Sequence, residues 1–245
     1  MNGATRVIFG PRTRLGQALL SLPHGPKDRD VVIARHDADA DALRGRDATV
    51  VSAFADEATI SAALAPDGPL QVHICALGPL HPGSAQQAID SQNVERDLNA
   101  LSRVLAAADG RPTQVVLVST VLALAPPSDR SYYAGWRGVV EQEVRELVAG
   151  QGDVSVLYPG RLTEMRDVRH PVSLLYTTYG RLAQLAHLAA QSAPKSSVVG
   201  LDARAWLLTR SASLGLSSVT GRRQLADSLT NRAVQATRQP SQGER

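Results

Sequence analysis

Short apolar runs alternate with longer amphipathic segments along most of this 245-residue chain. The runs are rich in β-branched residues and end at polar, Gly or Pro residues: 6–10, 30–34, 48–53, 71–77, 115–118, 153–158 and 197–201. Runs of this length, bounded by turn residues, predict strands that are buried on both faces of a parallel sheet. We therefore predict a doubly wound α/β fold of about seven parallel strands. It forms a single domain, 1–221, followed by a polar tail, 222–245.

The segments between the runs carry apolar residues at helical spacing. We predict helices at about 86–109, 131–148 and 172–191, and shorter ones after the first and third strands. The first two carry apolar stripes: Val94, Leu98, Leu101, Val104 and Leu105 on one, and Val140, Val144 and Leu147 on the other. These stripes suit packing on the sheet or against a second copy of the chain.

Composition narrows the class of protein. With 43% hydrophobic residues the chain can bury a full core, and its single cysteine, Cys75, excludes an intramolecular disulfide. We see no leader-like segment and no apolar run long enough to span a bilayer. The formal net charge of +3 is a weak indication of nucleic-acid binding. We expect a soluble cytoplasmic protein without a membrane or nucleic-acid partner.

The candidate functional residues lie where the predicted strands end. Gly10, Arg35, Gly78, Ser119-Thr120 and Pro159-Gly160 all follow strand runs, and ligands of open α/β sheets bind at the carboxyl ends of strands.

The longest such stretch, 115–137, continues to Tyr133 and Arg137, one helical turn apart. A hydroxyl, a tyrosine and a cation in this order suit proton transfer at a carbonyl oxygen. A surface arginine after a packing tyrosine is the alternative.

The order and spacing of these residues resemble the short-chain dehydrogenase/reductase superfamily over nearly the whole chain. Segments 132–147 and 154–162 also resemble its epimerase-like members. The resemblance implies a Rossmann-like fold and a catalytic set of Asn93, Ser119 or Thr120, Tyr133 and Arg137. Asn93 precedes Thr120 by 27 residues and Thr120 precedes Tyr133 by 13, as 120 − 93 and 133 − 120. Both spacings are close to those of the family.

Arg137 departs from the family pattern, because lysine usually occupies this position. Arginine keeps the positive charge beside the tyrosine, but it differs in shape and does not relay a proton at neutral pH. The resemblance therefore predicts activity that is retained, reduced or redirected.

The resemblance assigns the turn after the first strand to a dinucleotide pyrophosphate: Gly10, Arg12, Thr13, Arg14, Leu15 and Gly16. Gly10 and Gly16 match the outer glycines of the family. The middle glycine is absent, and its candidate positions hold Thr13 or Arg14. A side chain there obstructs the close approach of phosphate, whereas an arginine can bind phosphate itself. The sequence leaves both readings open.

Other positions bear on the cofactor through the same resemblance. Arg35 follows the second strand, where a basic residue favours the 2′-phosphate of NADP; a solvated arginine is the alternative. Ala53 replaces the aspartate that usually contacts adenine. The segment after the fourth strand, including Ala76, keeps only the final glycine of the family motif, Gly78. Pro159, Gly160 and Thr163 resemble the segment that closes the nicotinamide pocket.

Two hypotheses follow from these matches and departures. The first is an oxidoreductase or epimerase-like enzyme that uses NADP, or else NAD, on a small metabolite. The second is a non-catalytic or cofactor-independent descendant of the fold, such as a dinucleotide sensor, a partner subunit, a lyase or an isomerase. The resemblance also implies a homodimer or homotetramer. No hydrolase elbow, phosphate-binding P-loop or histidine metal motif is present in the sequence.

Overall fold

The central element of the computed structural model is a seven-stranded, wholly parallel sheet. The structure describes residues 3–23, 25–35, 43, 47–64, 68–77, 91–125, 131–165 and 171–219. The strands of the sheet are β1 (Thr5–Phe9), β2 (Arg29–Ala34), β3 (Thr49–Ser52), β4 (Leu70–Ile74), β5 (Thr113–Val118), β6 (Asp153–Pro159) and β9 (Ser196–Val199). Their order across the sheet is β3-β2-β1-β4-β5-β6-β9. The predicted doubly wound, single-domain α/β fold is confirmed. The predicted tail, 222–245, lies outside the described residues.

Helices occupy most of the connections between these strands. They are α1 (Arg14–Leu20), α2 (Glu57–Ala63), α3 (Ser91–Ala107), α4 (Val121–Leu124), α5 (Ser131–Val148), α6 (Tyr179–Ala189) and α7 (Leu201–Val219). A separate pair of two-residue parallel strands, β7 (Leu162–Thr163) and β8 (Thr177–Thr178), flanks a 3-10 helix at Pro171–Leu175. None of the helices in the described part of the chain is long and apolar enough to cross a membrane.

The core consists of two apolar layers, one on each face of the sheet. Alternate strand residues such as Val7, Val72 and Val115 pack against α2, α3 and α5. Their neighbours on the other face, such as Ile8 and Val116, pack against α1 and α6. This alternation is the expected result of a side-chain period of two in strands that are covered on both faces.

The apolar stripes of α3 and α5 face this chain's own sheet. Leu101, Val104, Val140 and Val144 are fully buried within the single chain. The stripes are therefore already covered, and they do not support the oligomer that the resemblance implies. The homodimer or homotetramer stays a prediction.

The helix predicted over 172–191 is wrong over 172–178, where the chain forms the 3-10 helix and β8. Thr177 pairs in β8, and its backbone N–H donates to the carbonyl of Arg161 over 3.3 Å. Thr178 keeps an extended backbone, and its hydroxyl accepts a hydrogen bond from the backbone N–H of Arg181, so the helix begins only at Tyr179. The short helix α4 and the long helix α7 were not predicted.

Candidate active site

The strand order reverses between β1 and β4, which places a crevice at the carboxyl ends of the central strands. A cavity of about 230 Å³ lies on one side of this point. It brings together nine of the predicted site residues: Thr13, Arg14, Leu15, Ser119, Thr120, Tyr133, Arg137, Pro159 and Gly160. Four lining residues were not predicted: Cys75, Val118, Leu162 and Tyr179. Most residues of the predicted catalytic and nicotinamide regions therefore line one cavity.

Tyr133 and Arg137 lie on the first turns of α5 and contact each other. Arg137 Nε donates a hydrogen bond to the Tyr133 hydroxyl oxygen over 3.3 Å, and the guanidinium lies 5.4 Å from the ring centroid. Arg137 Nη1 also donates to the carbonyl of Leu77. Arg137 is only 8% exposed, so it is not the surface arginine of the alternative reading. Since the phenol oxygen accepts this hydrogen bond, the Tyr133 proton is free to be donated elsewhere.

The two adjacent hydroxyls at the end of β5 differ in their partners. Thr120 caps α4, because its Oγ1 accepts a hydrogen bond from the backbone N–H of Leu122 over 3.3 Å. The Ser119 Oγ is buried and has no hydrogen-bond partner among the described residues. An unpaired buried hydroxyl costs about 1–3 kcal/mol, which a polar ligand in the cavity would recover. Of the two hydroxyls, that of Ser119 is therefore the one available to a ligand in the cavity.

The turn after β1 is closely packed at both outer glycines. Gly10 has a φ of +74°, and a Cβ there would lie 3.0 Å from the Cβ of Ala76. A Cβ on Gly16 would lie 2.4 Å from the carbonyl oxygen of Gly10. Thr13 holds the turn together, because its Oγ1 donates to the Gly10 carbonyl and accepts from the Gly16 N–H. Both glycines are thus required for the local backbone path.

Arg14 extends from the start of α1 across to the segment after β7. Its Nε lies 3.1 Å from Glu164 Oε1, and its guanidinium lies 5.9 Å from the ring centroid of Tyr179. Both charged side chains are about two-thirds exposed, at 67% and 65%. A phosphate at this turn would therefore meet an arginine that already has a weak, solvent-screened partner.

Arg35 lies at the end of β2, on the other side of the switch point. Its Nε donates to Asp97 Oδ1 over 2.9 Å, and its Nη2 donates to Asp97 Oδ2 and, over 2.8 Å, to the carbonyl of Ala76. The Asp97 side chain is 1% exposed and that of Arg35 is 20% exposed. Arg35 is therefore not the solvated arginine of the alternative reading. Asp97, on α3, is a residue of this region that sequence reasoning missed.

Four further predicted residues are not among those that line the cavity. Arg12 is exposed on the turn, and the Thr163 hydroxyl donates to the carbonyl of Met165. Asn93 lies on α3, but its side chain is outside the description, and Gly78 lies outside the described residues altogether. Their predicted roles are not tested.

Cys75 contributes a neutral group to the cavity. Its thiol is enclosed although the residue as a whole is partly exposed, and burial raises the pKa of the thiol above its ordinary value. A protonated thiol is a poor nucleophile at neutral pH. Covalent catalysis by Cys75 is therefore not supported.

A larger cavity, of about 810 Å³, opens at the opposite edge of the sheet. It is lined by Gln71 and by the turns that contain Gly110 and Gly150. It contains none of the predicted catalytic or cofactor residues. We assign the candidate site to the smaller cavity because the titratable and hydroxyl groups meet there.

No protein-family model matches the sequence, and no curated protein matches it. Solved structures do match. A short-chain dehydrogenase/reductase (glucose/ribitol dehydrogenase) from Brucella melitensis superposes with a TM-score of 0.60 at 13% identity, covering 83% of this chain and 97% of that one. A gluconate 5-dehydrogenase from Burkholderia cenocepacia, in complex with NADP and tartrate, gives 0.58 at 16% identity and covers 84% and 96%.

A putative NAD-dependent epimerase/dehydratase from Bacillus halodurans gives a TM-score of 0.56 at 17% identity and covers 80% of this chain and 93% of that one. At these identities the likeness shows the fold. The chain therefore has the fold of the short-chain dehydrogenase/reductases, as the order of its motifs predicted.

Proposed function

We propose that this protein is an oxidoreductase or epimerase-like enzyme that uses NADP and acts on a carbonyl or hydroxyl group of a small metabolite. The observation that carries the proposal is the meeting of Ser119, Tyr133 and Arg137 at one cavity. Ser119 offers a buried hydroxyl that has no hydrogen-bond partner in the part of the chain that the structure describes, and Tyr133 offers a proton that its contact with Arg137 does not use.

The residues present fit a dinucleotide at the switch point. Gly10 and Gly16 keep the turn 10–16 tightly folded, because a Cβ at either position would lie 3.0 Å or less from other atoms of this chain. Arg35 would hold the adenosine end, and Pro159-Gly160 would border the nicotinamide end, where Ser119 and Tyr133 lie. When bound, the nicotinamide supplies or accepts a hydride.

The side chains of this protein would donate or accept the proton that accompanies the hydride. Tyr133 would donate its proton to the substrate oxygen in reduction and accept it in oxidation. Ser119 Oγ would donate a hydrogen bond to the same oxygen. Arg137, held by the Leu77 carbonyl and touching the phenol oxygen, would stabilise negative charge that develops on Tyr133. Since arginine does not deprotonate, the proton must return to Tyr133 by another route.

A second candidate is supported by the contact at the turn. Arg14 pairs with Glu164, so the arginine that stands near the missing middle glycine already has a partner within the chain. A non-catalytic or cofactor-independent descendant would have this arrangement. Titration with NADPH and NADH separates the two candidates, because absence of binding at millimolar concentration favours the second.

The test of the first candidate is Tyr133→Phe. With NADPH and a panel of small aldehydes and ketones, we expect turnover to fall by about 10²–10⁴-fold, because the proton donor is lost. Tyr176→Phe is the matched control, since this tyrosine lies outside the cavity and its hydroxyl contacts only Arg161 among the described residues. Thermal unfolding of both variants should match the wild type. Unchanged turnover of Tyr133→Phe would refute the assigned role.

A further inference from the structure

We propose that Asp97 of α3 is a positioning residue that sets the preference for NADP over NAD by holding Arg35 in place for the 2′-phosphate. The inference rests on the proposed function in one respect, that an adenine dinucleotide binds at the switch point. It assigns a role to a residue that itself touches neither the phosphate nor the reacting atoms.

Arg35 is held on two sides of its guanidinium. Nε and Nη2 donate to the two oxygens of Asp97, in the paired geometry that suits a carboxylate, and Nη2 also donates to the Ala76 carbonyl. These contacts tie the end of β2 to the end of β4, across the end of β1, where the strand order reverses. The guanidinium is therefore fixed at the crevice rather than extended into solvent.

One edge of the guanidinium is left for a ligand. Nη1 makes no hydrogen bond to a described residue. It does not belong to the buried polar atoms that lack a partner, and the Arg35 side chain is 20% exposed, so this nitrogen is open to solvent. A held arginine with a free N–H edge binds a phosphate with less loss of side-chain freedom than a mobile one. A 2′-phosphate is a ligand of this chemistry, whereas the ribose hydroxyl of NAD carries no charge.

The burial of Asp97 explains why the pair stays together when phosphate binds. Its side chain is 1% exposed, so separation from Arg35 would break an ion pair in a dry position. Arg35 therefore keeps Asp97 and offers Nη1, and the 2′-phosphate adds to the pair instead of replacing the carboxylate.

The experiment measures the affinities of NADPH, NADH and adenosine 2′,5′-bisphosphate by titration calorimetry, with the full chain and its variants. For Asp97→Asn we expect the dissociation constants of NADPH and the bisphosphate to rise about tenfold, as is common when the group that orients a ligand-binding side chain is removed. The dissociation constant of NADH should change by less than about twofold. For Arg35→Ala we expect a rise of about 10–100-fold in the NADPH constant, because a charge-assisted contact is lost.

Two controls separate positioning from stability. Asp30→Asn removes a buried carboxylate that pairs with Arg6 away from the crevice, and Asp153→Asn changes an exposed aspartate at the opposite edge of the sheet. Both should leave the ratio of NADPH to NADH affinity unchanged, and Asp153→Asn serves if Asp30→Asn does not fold.

Each outcome either supports or overturns the positioning role of Asp97. Equal weakening of NADPH and NADH by Asp97→Asn, or tighter or unchanged NADPH binding, overturns the positioning role even if NADPH supports turnover. If Asp97→Asn weakens bisphosphate binding but the wild type shows no turnover with NADPH, the positioning role of Asp97 is upheld and the proposed enzymatic function is refuted. If the wild type binds neither dinucleotide nor bisphosphate, both are overturned.

Discussion

Two arginine–aspartate pairs in this molecule have the same chemistry and different surroundings. Arg6 on β1 contacts Asp30 on β2 with two hydrogen bonds of 2.7 Å, and both side chains are at most 2% exposed. Arg35 and Asp97 are joined in the same paired manner, but at the carboxyl edge and with Arg35 20% exposed. The first pair lies inside the sheet layer, and the second lies beside the switch point with one N–H edge open. Position, more than residue type, makes one pair structural and the other a candidate for ligand binding.

The largest expected effect concerns the enclosed pair. Asp30→Asn removes a carboxylate charge that pairs with Arg6 in a dry position, so we expect the free energy of unfolding to fall by about 3–5 kcal/mol. Urea denaturation measures this loss. A loss below about 1 kcal/mol would mean that the pair is not the buried structural contact described here.

The same region should make stability depend on pH. Burial, together with the nearby Arg6 and His187, lowers the pKa of His73 from its ordinary value of 6.5 to about 3. Between these values the unfolded chain binds a proton at His73 and the folded chain does not, so stability falls as the pH drops. The contribution reaches about 3 kcal/mol at pH 4.

Replacing His73 should remove this dependence. Neither ring nitrogen of His73 has a hydrogen-bond partner among the described residues. His73→Leu should therefore flatten the decrease in stability between pH 6.5 and 4, and it should also raise the free energy of unfolding at pH 7, because orphaned buried polar atoms are removed. Denaturation curves at several pH values test this. A wild type whose stability is constant over this range would contradict it.

At the carboxyl edge the expected effects are on function. Ser119→Ala removes a hydroxyl that has no hydrogen-bond partner among the residues described, so we expect the free energy of unfolding to stay constant or to rise slightly. Turnover should fall by about 10–100-fold, because a donor to the substrate oxygen is lost. Measuring both quantities on one sample contrasts this edge with the Arg6–Asp30 region. A less stable Ser119→Ala protein with normal turnover would reverse the assignment.

An exposed ion pair gives the smallest expected effect. Arg145 and Glu141 lie one turn apart on α5, with N–O contact at 3.0 Å and the Arg145 side chain 42% exposed. We expect Arg145→Ala to change the free energy of unfolding by at most about 0.5 kcal/mol and to leave NADPH binding unchanged. A larger loss would show that burial is not what separates the three pairs.

The sequence predicted what depends on local pattern. β-branched runs between turn residues located all seven strands of the main sheet, and the spacing of Tyr133 and Arg137 predicted their contact on one helix turn. The choice between Ser119 and Thr120 was not predictable, because it depends on which hydroxyl caps α4.

Asp97 gave no signal for a different reason. It lies 62 residues from Arg35 in sequence, and only the tertiary fold brings the two together. The prediction of a helix over 172–191 was wrong only over 172–178, because apolar periodicity continued through residues that instead form β8 and a helix cap.

Titration of the wild-type protein with NADPH and NADH tests the central claim most directly, that the carboxyl edge of the sheet is a site for NADP. We predict saturable NADPH binding that is at least about tenfold tighter than NADH binding, since one charge-assisted contact is worth about that factor. No binding of either dinucleotide at millimolar concentration, or equal affinity for both, would contradict the claim.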